Sequence, residues 1–64
     1  MTPNEFRKIR HRLGLSTRAL ANLLGVSDGR TVRRWEAGTR FVPGPITRLM
    51  RLLATGKIKP ADLA

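Results

Sequence analysis

The chain has no cysteine, no tyrosine, one histidine and only four acidic residues among its 64. Each shortage closes a class of function. Without cysteine there is neither a disulfide frame nor a thiolate metal site. His11 alone cannot build a metal centre. The sequence offers no paired carboxylates, no nucleophile with an adjacent base and no glycine-rich phosphate loop, so no enzyme and no cofactor are expected. No apolar run is long enough to cross a bilayer. The first residues, MTPNEFRKIRHRL, lack the apolar centre of a secretory signal. The expectation is a cytoplasmic, nucleoid-associated protein with no membrane partner. No segment alternates with period two, which argues against a sheet. There is also no repeat and no low-complexity tail.

What is abundant is positive charge. Thirteen Lys and Arg face four Asp and Glu, for a net charge of +9. Most are arginine, which suits bidentate phosphate and guanine recognition better than lysine does. Such a surface implies a polyanionic partner. The alternative, a solvated face that only aids solubility, is disfavoured because the arginines concentrate in one motif. A chain this short is a single domain, residues 1–64, with a modest core.

Caps and apolar periodicity divide the chain into four helices and a short C-terminal turn, an all-α bundle of four to five short helices. The first runs from about Pro3 to Leu13, with Thr2 as N-cap, Glu5 completing a capping box and Phe6, Ile9 and Leu13 as its buried stripe. Gly14 stops it. The second runs from about Thr17 to Leu24 behind the N-cap Ser16, with Leu20, Leu23 and Leu24 inward. Ala21 and Gly25 are the small residues expected where it crosses the third. The third runs from about Gly29 to Ala37, with Val32 and Trp35 inward and Gly38 as stop. The fourth runs from Pro45 or Ile46 to Ala54 on the stripe Ile46, Leu49, Met50 and Leu53. Pro60 opens a last turn, Ala61 to Leu63.

Two short helices joined by a tight turn, the second loaded with arginine, are how a helix is presented to the major groove. The stretches Gly14-Leu15-Ser16, Ala21, Gly25-Val26-Ser27, Thr31-Val32 and Trp35-Glu36-Ala37-Gly38 resemble the helix-turn-helix family of phage repressors and Cro proteins, the xenobiotic-response-element type. The resemblance covers about residues 5 to 54. It implies a lambda-repressor-like domain whose second helix crosses the DNA backbone and whose third lies in the major groove. The sequence departs from the family at one place. Four residues, Ser27-Asp28-Gly29-Arg30, separate Val26 from Thr31, where the family has three. With Asp28 as N-cap the extra residue falls in the turn and the usual cap-to-core spacing returns. With Ser27 as cap the third helix gains a residue.

On the Asp28 register, Arg30, Arg33 and Arg34 are the candidates for base edges, with guanines in each half-site. Gly29 allows close backbone approach beside them. The resemblance makes Ser16 and Thr17 phosphate contacts, joined by Arg18, Thr39 and Arg40. Trp35 is core rather than a stacking platform, and Glu36 pairs with Arg7 or Arg10. Phe41 and Val42 are expected in the core or at a dimer surface. Lys57 and Lys59 steer nonspecifically or belong to a solvated tail.

The expected partners are double-stranded DNA and a second copy, with no small-molecule ligand. Leu52, Ile58 and Leu63 are candidates for dimerisation, against the alternative that they close the monomer core. The implied function is a sequence-specific transcriptional regulator, an autoregulating repressor on a pseudo-palindromic operator. Phage, antitoxin and anti-CRISPR-associated operons all fit. The rival readings are an antitoxin-like protein-interaction module and a nonspecific nucleic-acid binder.

Overall fold

The computed structural model describes residues 1–63 and holds five helices, with no strand among the described residues. They are α1 (Pro3–Arg12), α2 (Thr17–Leu24), α3 (Gly29–Ala37), α4 (Gly44–Ala54) and α5 (Pro60–Leu63). The all-α expectation holds.

Local chemistry sets the limits. Thr2 is extended and its Oγ1 accepts the Glu5 amide at 3.1 Å, starting α1 at Pro3. The capping box is only half formed. The Glu5 carboxylate accepts the Thr2 hydroxyl at 3.2 Å instead of a backbone amide. Helix α1 stops one residue short of Leu13, and the left-handed turn that closes it falls on Gly14 (φ 71°). Helix α4 starts at Gly44, slightly earlier than the apolar stripe suggests, because Pro43 breaks the chain before it and Pro45 fits its first turn.

Phe6, Leu20, Ala21, Val32, Trp35, Met50 and Leu53 form one buried core drawn from α1 to α4. Phe6 meets Trp35 edge-to-face, with centroids 5.6 Å apart and planes at 61°, the arrangement that aromatic quadrupoles prefer. Burying each large side chain contributes about 1.5–3 kcal/mol. Helix α2 packs mainly on α3. Helix α1 packs on both α3 and α4, and α5 leans on α2.

Three expectations about packing need correction. Of the two places expected for Phe41, the core is excluded and a dimer surface is not: it is 99% exposed, because the Thr39–Pro43 connection runs over the surface, where only Val42 turns partly inward. Leu49 lies half-buried at the edge of α4, outside the core that Ile46, Met50 and Leu53 join. Gly25 does not serve the helix crossing. It is the left-handed cap of α2 (φ 75°), and a side chain there would meet open space.

Candidate nucleic-acid interface

The α2–α3 turn settles where the additional residue sits. Gly25 ends α2 and the Val26 amide donates back to the Ala21 carbonyl at 3.0 Å. Asp28 is extended, and its Oδ1 accepts the Arg30 amide at 2.9 Å. Asp28 is therefore the N-cap and Ser27 is absorbed in the turn. The register of α3 follows: Val32, Trp35 and Glu36 are buried while Arg30, Arg33 and Arg34 are exposed on its other side.

Gly29 has a different role from the one expected beside DNA. It is buried against the start of α2. A Cβ there would lie 3.2 Å from the Arg18 amide nitrogen and from Thr17 Oγ1. The close approach that glycine permits is thus between two helix N-termini. Its consequence is indirect. The first turns of α2 and α3 converge, and Arg18, Asp28, Gly29, Arg30 and Arg33 line one open, shallow hollow. Helix N-termini carry unpaired amides and partial positive charge, so this hollow suits an anionic backbone.

The expected phosphate contacts divide on hydrogen-bond capacity. Ser16 Oγ accepts the Ala19 amide at 3.0 Å, which leaves its own proton free to donate. Thr17 is half-buried behind Ser16, and Arg18 is exposed. Thr39 is a poor donor. Its hydroxyl and its amide both donate to the Arg34 carbonyl, at 3.2 and 3.1 Å, so its donors already close the end of α3. Arg40 is exposed on the following connection and lines a second concavity with Met1, Pro3, Trp35, Gly38, Phe41 and Val42.

Glu36 fixes the angle of α3. Arg10 holds its carboxylate through Nε at 2.6 Å and Nη2 at 3.0 Å, while Arg7 Nε stands at 3.6 Å. Arg10 Nη1 also donates to the Leu15 carbonyl at 2.9 Å. One guanidinium thereby joins α1, the entry to α2 and the far end of α3. The Glu36 hydrogen bond holds Arg10 above the usual arginine range, against the opposing effect of burial. This is the pairing the sequence suggested, although its link to Leu15 was not visible there.

The remaining acids are engaged too. Glu5 holds the Thr2 hydroxyl, Asp28 caps α3, and Asp62 Oδ2 accepts the Lys59 amide at 2.8 Å. Among the described residues the only ion pairs are those of Arg7 and Arg10 with Glu36. The arginines on the outer side of α3 therefore face solvent without counter-charge.

Of the three residues considered for pairing, Ile58 and Leu63 are half-buried and pack against their own core. Leu52 lies outside that core, on a groove along α4.

Comparison with known proteins agrees with this architecture. A helix-turn-helix domain family matches residues 4–62, and the chain belongs to this DNA-binding family. A candidate HTH-type transcriptional regulatory protein of Archaeoglobus fulgidus is 40% identical over 57 residues, 89% of this chain but 18% of the relative. The chain thus spans under a fifth of that protein's length. No solved structure matches. No helix among the described residues is long and apolar enough to cross a membrane.

Proposed function

We propose that the chain is a sequence-specific double-stranded DNA-binding transcriptional regulator, an autoregulating repressor of the Cro type acting as a pair on a pseudo-palindromic operator. The observation that carries this reading is the outer side of α3. Arg30, Arg33 and Arg34 are exposed on one helix whose other side is locked by Val32, Trp35 and Glu36. Arginine reads guanine O6 and N7 bidentately, worth about 1–3 kcal/mol of discrimination per good pair. Ser16, Arg18 and Arg40 flank this face and hold phosphates.

Pairing is assigned to the DNA-bound state. Each copy carries +9, so two copies repel in free solution, and operator phosphates remove that repulsion. Recognition helices on one face of the duplex sit roughly 34 Å apart. Residual exposed edges of Ile58 and Leu63 supply the contact between copies.

The test is binding to the DNA upstream of the chain's own coding sequence against random duplex, at two salt concentrations. A preference that persists at physiological salt supports the reading. Equal affinity for both, falling steeply with salt, identifies a nonspecific binder instead.

A further inference from the structure

The outer face of α4 has no part in the core or in the α2–α3 surface, and its composition is specific. Gly44, Thr47, Arg48, Arg51, Leu52 and Thr55 recur at helical spacing along one open groove, with Lys57 at its end. Pro45 and Leu49 form the second wall beside Gly44, Arg48 and Leu52. The result is an apolar strip of Pro45, Leu49 and Leu52 bordered by Arg48, Arg51 and Lys57. The groove follows the full length of α4, roughly 16 Å at the helical rise per residue. None of these residues lines the hollow formed by Arg18, Asp28, Gly29, Arg30 and Arg33, so the two surfaces share no side chain.

We propose that this face docks an acidic, amphipathic helical segment of a protein partner, with apolar side chains on Leu49 and Leu52 and carboxylates against Arg48, Arg51 and Lys57. Charge complementarity selects this occupant. A second copy of the chain is the wrong partner. It would bring the same three cations, and its four carboxylates are already held by Thr2, the α3 cap, Arg10 and the Lys59 amide. Duplex DNA matches the charge but leaves the leucines without a counterpart, because a phosphate backbone offers no apolar ridge. A helix with apolar residues at i, i+3 or i+4, and i+7, flanked by Glu or Asp, meets both requirements. This proposal stands independently of the operator reading.

The test uses the full chain, isotope-labelled for NMR, and a synthetic peptide of about sixteen residues with Leu at i, i+3, i+4 and i+7 among Glu. Its controls are a same-composition peptide with the leucines out of register and a random-sequence duplex. The in-register peptide is expected to shift the amides of Gly44–Lys57. The double variant Arg48→Glu/Arg51→Glu is expected to weaken that peptide by at least about tenfold and to weaken the duplex by clearly less, the duplex loss being the general effect of lower net charge. Peptide shifts centred on Arg30–Arg34 would overturn the proposal, as would equal binding of the out-of-register peptide. A loss of duplex affinity matching the loss of peptide affinity would assign the face to DNA. A concentration-dependent dimer of the free chain that the double variant abolishes would assign it to a second copy. The mapping on the unmodified chain keeps the test decisive if the variant folds poorly.

Discussion

The outer faces of α3 and α4 both carry exposed arginines that form no ion pair among the described residues, yet they are built for different partners. On α3 the exposed positions are Arg30, Arg33 and Arg34, and every large apolar side chain of that helix is turned inward. On α4, Arg48 and Arg51 share their face with Leu49 and Leu52, which the core does not take. Net charge alone would treat the two faces as equivalent. Their apolar content separates a surface suited to phosphates and base edges from one suited to another protein.

Several substitutions sharpen or break this contrast. The largest effect is expected at the shared support. Trp35→Ala removes the partner of Phe6 and should cost about 3–5 kcal/mol, enough to unfold a domain this small at ordinary temperature and abolish both faces together. Circular dichroism melting checks it. Glu36→Ala leaves Arg10 nearly buried without its carboxylate and should cost about 3 kcal/mol. That lowers the melting temperature by roughly 12–24 °C at the 4–8 °C per kcal/mol of a domain this size. A fall of only a degree or two would mean that the Arg10–Glu36 pair does not hold α3 in place.

Next come the effects confined to α3. Arg33→Ala and Arg30→Ala should each lower discrimination against altered base pairs by about 1–3 kcal/mol at one position per half-site, measured by competition with single-base operator variants. Unchanged base preference in Arg30→Ala would show that the start of α3 sits off the bases. Arg40→Ala, by contrast, should weaken all duplexes alike and lower the salt slope by about one. The smallest expected effect is at Gly29. Alanine there would press on the Arg18 backbone, which cannot yield as a side chain would, and should cost about 1 kcal/mol. Its operator affinity should fall by more than its random-duplex affinity, because the tilt of α3 changes while its charges do not.

Much of this is legible in the sequence, and the reason is local. Thr2, Ser16 and Asp28 are caps whose side chains bond the next turn, so sequence spacing alone places the starts of α1, α2 and α3. The inward positions Val32 and Trp35 follow from helical period. Glu36 had few arginines within reach, and Arg10 is its main partner. What could not be read depended on packing and side-chain bonds that caps and helical period do not encode. Gly29 carries no local signal that distinguishes approach to DNA from approach to α2. Thr39 looks like a phosphate ligand until its hydroxyl is found on the Arg34 carbonyl. Phe41 has the composition of a core residue, but its place on the α3–α4 connection leaves it almost entirely exposed. The α4 stripe was hidden because periodicity assigned Leu49 to the core, and only packing shows it left over.

The central claim is that the exposed arginines of α3 read bases rather than merely attract DNA. Selection of bound sequences from a random duplex pool at physiological salt tests it most directly. The account predicts enrichment of an inverted repeat with guanine in each half-site, the half-sites about ten base pairs apart from centre to centre. A bound pool with no enriched motif would contradict it.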